Sequence, residues 1–126
     1  MVDKFIGDAV MGFWGAPIRT EDHAYYAIKS AGEIAYQFMV WQEDNHHNFK
    51  VGIGVHSGQA VVGNFGSTKR FNYTAIGDTV NTTSRIESLN KIYKSSVIIT
   101  SDLIASLPEK YLSEFKLEKL DVIRPR

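Results

Sequence analysis

The sequence predicts an α+β domain. Two patterns carry the prediction. Short apolar runs punctuated by Gly-Asp and Ser-Gly turns recur along the chain, and between them stand segments whose apolar residues return every three or four positions. Hairpins mixed with helices, without strict strand–helix alternation, favour a sheet with helices on one face. At 126 residues the chain has length for one core and too little for two.

Val2 to Phe5 and Ala9 to Trp14 read as two strands around Gly7-Asp8. Gly accepts a positive φ there, and Asp bonds nearby amides. Gly15-Ala16-Pro17 ends the second strand. Thr20 is the expected N-cap of a helix, with Glu21 and Asp22 in its first turn. Ala24, Ala27, Ile28, Ala31, Ile34, Ala35 and Phe38 follow the helical spacing, and the helix should end near Asp44-Asn45. Its small residues suit close packing on a sheet.

Phe49 to His56 and Gln59 to Asn64 are expected to pair as a hairpin through Ser57-Gly58. Gly63, Gly66 and Ser67 loosen the chain before a short extended piece, Asn72 to Ile76. A helix is expected from Asp78 to about Lys91, with Val80, Ile86 and Leu89 apolar. Val97 to Thr100 reads as a buried strand. Ser101 should cap a short helix that runs to about Leu107 and stops at Pro108. Phe115 to Ile123 reads as a last strand.

Composition narrows the function. Fourteen basic residues balance fourteen acidic ones, which argues against a bulk electrostatic grip on nucleic acid or an anionic membrane. The absence of cysteine removes disulfides, thiolate zinc sites and cysteine nucleophiles, and fits a cytoplasmic location. No segment approaches the roughly 18 to 20 apolar residues of a membrane span. Met1 runs directly into Val-Asp-Lys-Phe-Ile-Gly-Asp, which reads as folded interior, so the chain is expected to start inside a domain.

Several residues could carry chemistry. Asp8, at a hairpin tip, could bind a hard cation through oxygen, or simply bond its own turn. Asn81 and Arg85 stand four apart on one helix face. An amide beside a guanidinium suits an oxygen-rich anionic transition state, while an exposed polar face is the bland alternative. Lys4 and Thr74 stand on extended segments, where a solvated lysine and a β-former would also be ordinary. The adjacent His46 and His47 point to different sides, and His23 and His56 have no recognisable partner spacing. Gly63 and Gly66 match neither nucleotide-binding glycine fingerprint and read as turn residues.

The order of three blocks is far more specific. Lys4-Phe5-Ile6-Gly7-Asp8-Ala9-Val10-Met11 precedes Val51-Gly52-Ile53-Gly54-Val55-His56-Ser57-Gly58. Tyr73-Thr74-Ala75-Ile76-Gly77-Asp78-Thr79-Val80-Asn81, continuing through Ser84-Arg85, follows them. Together they resemble the catalytic domain of class III nucleotidyl cyclases, from Met1 to about Thr100. Bacterial adenylate cyclases are the nearest likeness, and Phe13-Trp14-Gly15-Ala16-Pro17 is typical of them.

The resemblance implies a ferredoxin-like, palm-type mixed sheet with helices, lacking its first strand, over residues 1–126. It implies conversion of ATP to 3′,5′-cyclic AMP and pyrophosphate with two divalent ions, Mg²⁺ or Mn²⁺. Asp8 matches the second metal aspartate. Lys4 and Thr74 match the two base-reading positions, where a lysine can donate to adenine N1 and a threonine hydroxyl can accept from the adenine amino group. Most adenylate cyclases carry Asp at the second position, so Thr74 departs from the pattern and resembles a subclass that includes bicarbonate-responsive enzymes. Asn81 matches the ribose-orienting asparagine and Arg85 the arginine that stabilises charge on the reacting phosphate.

In the family, one subunit supplies the metal aspartates and the other supplies the base-reading and Asn-Arg pairs. A homodimer, or a strand-exchanged oligomer, is therefore the expected state. The first metal aspartate and a phosphate-binding lysine have no match in the chain, and Lys116 and Lys119 are not assigned the latter role. The chain is thus expected to be a fragment, nearly inactive alone. The alternative from another class is a non-catalytic nucleotide-binding or dimerisation module of the same fold. Retention of Lys4, Asp8, Asn81 and Arg85 favours the enzyme.

Overall fold

A computed structural model describes residues 2–6, 9–16, 18–46, 50–64, 73–115 and 117. The chain forms β1 (Val2–Ile6), β2 (Ala9–Gly12), α1 (His23–Asn45), β3 (Ile53–Val55), β4 (Val61–Asn64) and β5 (Tyr73–Ile76). It continues with α2 (Asp78–Ser88), α3 (Asn90–Tyr93), β6 (Val97–Ile99), α4 (Ser101–Ser106) and a 3₁₀ turn at Glu109–Glu114. The mixture of helices and short strands is the α+β class expected.

Three two-stranded ladders run among the described residues. β1 and β2 pair antiparallel, with Phe5 opposite Val10. β4 and β5 pair antiparallel, with Val61 opposite Ile76. β3 pairs parallel with β6, with Gly54 opposite Ile98. The hairpin expected between Phe49–His56 and Gln59–Asn64 is therefore not formed. β3 bonds instead to a strand that arrives after two helices. The carbonyl of Gln59, which a hairpin would have used near its turn, accepts the hydroxyl of Thr79 on α2.

The core lies between α1 and the β3–β6 ladder. Ala24, Ala27, Ile28 and Ala31 are buried against Val55, Leu103 and Leu107, with Ile53, Val97 and Ile99 packed alongside. Alternation along β3 turns Ile53 and Val55 to α1 and leaves the glycine positions facing the other way, onto α2. The ladder thus carries helices on both faces, where the sequence suggested one.

Cap positions differ from the sequence reading by one or two residues. Thr20 does not cap α1; its Oγ1 accepts the Asp22 N–H at 3.2 Å, just before the helix, and Asp22 holds the N-cap position. His46 ends α1 in the left-handed conformation, φ 53°, and returns its N–H to the Gln42 carbonyl. Thr100, not Ser101, caps α4, accepting the Leu103 N–H at 3.3 Å. The helix expected to reach Lys91 breaks at Leu89, and α3 follows at once. Of the expected last strand, Phe115 and Leu117 are described and the remainder lies outside the described residues.

Candidate active site

α2 begins where β5 ends. Gly77 is the N-cap with φ 135° and ψ −179°, a conformation that side-chain-bearing residues rarely adopt. It therefore lets the chain turn from strand to helix in one residue. Val80 N–H and Asn81 N–H both point back to the Gly77 carbonyl, at 3.1 and 3.4 Å. Asp78 adds a negative charge to this first turn, where the helix dipole favours it.

Packing of α2 on β3 is unusually close. A Cβ at Gly54 would lie 2.5 Å from the Glu87 nitrogen and 2.9 Å from the Thr83 carbonyl oxygen. Both are helix backbone and cannot swing aside. Asn90, 4% exposed, locks the far end of the helix. Its Nδ2 donates to the carbonyls of Ile53 (3.0 Å) and Glu87 (2.9 Å), and its Oδ1 accepts from Ser95 Oγ at 2.9 Å. A fully satisfied buried carboxamide of this kind fixes one arrangement of the backbones it joins.

With that face committed to β3, the opposite face of α2 is open. Asn81 and Arg85 are both exposed on it, one turn apart. β5 contacts α2, and β1 contacts β5. Lys4 stands on β1 opposite Met11, and Thr74 on β5 opposite Gly63. Four of the residues singled out in the sequence thus belong to three elements linked through β5, which touches both β1 and α2. Asp8 lies outside the described residues.

An open depression of about 510 Å³ adjoins the start of α2, between Gly58–Val61 and Ile76-Gly77. A larger groove of about 680 Å³ runs between α1 and β6, and neither Asn81 nor Arg85 lines it. The larger hollow and the exposed polar pair Asn81 and Arg85 thus lie in different places.

Sequence reasoning missed Gly54, Thr79, Thr83 and Asn90. Their signal was a helix poor in apolar residues facing glycines at alternating positions. His56, without a visible partner in sequence, meets Thr100: Nδ1 and Oγ1 lie 2.8 Å apart, tying the end of β3 to the cap of α4.

Comparison with known proteins agrees with this architecture. The family described as the Adenylate and Guanylate cyclase catalytic domain matches residues 3–124. "Adenylate cyclase 1" of Rhizobium meliloti (strain 1021) is 36% identical over 106 residues, covering 81% of this chain and 16% of that protein. An adenylate cyclase of Anabaena cylindrica is 35% identical over 117 residues, covering 87% of this chain and 23% of that protein.

Among solved structures, a bacterial light-regulated adenylyl cyclase aligns with TM-score 0.69 and 26% identity, over 86% of this chain and 32% of its own. The guanylyl cyclase Cya2 aligns with TM-score 0.66 and 30% identity, over 86% of this chain and 56% of its own. The chain belongs to the class III nucleotidyl cyclase catalytic domain family. It spans less than a quarter of the length of those two curated relatives. Among the described residues no helix is long and apolar enough to cross a membrane.

Proposed function

We propose that the chain is part of an adenylate cyclase catalytic domain, which converts ATP to 3′,5′-cyclic AMP and pyrophosphate at a site shared between two copies. The observation that carries the reading is the wall of β1, β5 and α2, which brings the elements bearing Lys4, Thr74, Asn81 and Arg85 into contact. Lys4 donates to adenine N1 and Thr74 accepts from the adenine amino group. Asn81 orients the ribose. Arg85 offers planar paired donors to the reacting phosphate as its charge grows. Asn81 and Arg85 face away from their own core, so a second copy is the natural source of the carboxylates opposite them.

Among the described residues no group of three His, Cys, Asp or Glu side chains could hold a metal ion. Asp8, outside those residues, is a hard oxygen donor of the kind Mg²⁺ or Mn²⁺ takes alongside waters and substrate phosphates, so the donor chemistry fits. When bound, such ions would supply Lewis-acid stabilisation of the triphosphate.

GTP is the second reading, because the guanylyl cyclase Cya2 is among the similar structures. Guanine carries a proton at N1, which Lys4 cannot satisfy, and this favours ATP. The test is product formation by the intact protein from ATP and from GTP, with Mg²⁺ and with Mn²⁺. Cyclic AMP should dominate, and Lys4→Glu should erode the preference. Equal formation of cyclic GMP would overturn the base assignment. Arg85→Ala should lower turnover far more than nucleotide affinity, and near-normal turnover would remove its assigned role.

A further inference from the structure

Ile86 is the buried apolar residue of α2, and the N-cap Gly77 has no side chain to hold the first turn. Helices in proteins are secured mainly by an apolar face. One with so little needs directional anchors to keep its rotation. α2 and the start of α3 have them on a single stripe. Thr83 and Glu87 lie over Gly54, Asn90 lies over Gly52, and Thr79 lies over Gly58.

Thr79 is the anchor of the first turn. Its hydroxyl donates to the carbonyl of Gln59, in the connection between β3 and β4. A Cβ at Gly58 would stand 2.7 Å from Thr79 Oγ1 and 3.1 Å from its methyl carbon, so the glycine makes room for the threonine to seat. Thr83, one turn later, spends its hydroxyl within the helix, donating to the Thr79 carbonyl at 2.8 Å. Asn81 is two residues past Thr79, about 200° around the helix. Whatever sets the rotation of Thr79 therefore sets the aim of Asn81 on the open face.

We propose that Thr79 is a positioning residue: its hydroxyl, latched to the Gln59 carbonyl across Gly58, fixes the rotation and depth of the first turn of α2 and through it the aim of Asn81. This rests on the role given to Asn81 above. A Val at this position keeps the shape and loses the donor, while a Ser keeps the donor.

The experiment compares Thr79→Val, Thr79→Ser, Asn81→Ala and the Thr79→Val/Asn81→Ala double variant in the intact protein, reading kcat, KM for ATP and melting temperature. A misplacement near 1 Å can cost up to about a hundredfold, so Thr79→Val should lower kcat about tenfold, with KM within about twofold. Thr79→Ser should return kcat to within about twofold of the parent, a rescue a loss of packing alone would not show. In the Asn81→Ala background the Thr79→Val loss should vanish, because the group it aims is gone.

Full turnover in Thr79→Val beside an impaired Asn81→Ala would overturn the latch alone. A loss that persists undiminished in the double variant, or that Ser does not rescue, would make Thr79 a structural residue only. Full turnover in Asn81→Ala would remove the underlying reading, and the latch with it.

Discussion

α1 and α2 pack on the same short ladder by opposite means. α1 buries an apolar stripe, Ala24, Ala27, Ile28 and Ala31, confined to its first half. Its second half leaves Ile34 and Met39 at least half exposed and Trp41 nearly so. α2 sits on glycine, held by backbone-to-backbone proximity and by hydrogen bonds from Thr79 and Asn90. Apolar burial is non-directional and tolerates small slides. Steric contact and hydrogen bonds fix rotation and depth. The helix with the tighter specification is the one that exposes Asn81 and Arg85, so rigidity is concentrated where a reacting group would need to be aimed.

The sharpest way to break this contrast is Gly54→Ala. A methyl 2.5 Å from the Glu87 nitrogen forces the helix off the strand. Overpacking of this kind typically costs about 1–3 kcal/mol, and with backbone on both sides the upper end is expected, read by urea denaturation. Turnover of the intact protein should fall further than stability alone accounts for, since α2 as a whole is displaced. A stability loss below about 0.5 kcal/mol would show that α2 is not seated by this contact.

On the α1 side, Ile28→Val removes one methylene at a 5% exposed position and should cost about 1 kcal/mol, with turnover unchanged. Smaller again is Ile34→Ser, at 55% exposure, which should move stability by less than about 0.5 kcal/mol. A larger loss in the intact protein would show that the second half of α1 is covered there.

The smallest effect is one of pH. A hydrogen bond to Glu114 raises the Tyr25 pKa above its ordinary 10.0, with burial and the Glu114 charge adding to it. The protonated phenol is the favoured form in the fold. Its contribution is complete below pH 10.0 and fades as pH climbs through the raised value. Tyr25→Phe should flatten the alkaline decline in melting temperature while keeping the stack on Tyr111.

Much of this was legible in sequence, and the exceptions have physical causes. The period of α1 and the apolar run of β6 stand out because burial writes them directly. Asn81 and Arg85 share a helix face by spacing alone. The partner of β3 could not be read, because Ile53–Val55 is three residues long and parallel pairing leaves no turn signal. A hairpin through Ser57-Gly58 was the local solution, but β3 pairs with β6 and β4 with β5. The caps shifted because Thr20 and Thr100 lie within two residues of Asp22 and Ser101, each a competent cap by composition. The direction in which Asn81 faces depended on glycines whose meaning is visible only once α2 lies on them.

The parallel β3–β6 ladder also bears on the order of folding. His56 and Thr100, which bond across its end, are 44 residues apart in sequence. Closing so long a loop costs chain entropy before any contact repays it, and non-local parallel pairing is slow. The β1–β2 and β4–β5 antiparallel pairs span shorter separations and should appear earlier. α2 meets Gly54 and Asn90 meets Ile53 before the chain reaches β6, so α2 can dock while the ladder is still open. Substitutions in β6 such as Ile99→Val should then speed unfolding with little change in folding rate, whereas Asn90→Ala should slow folding.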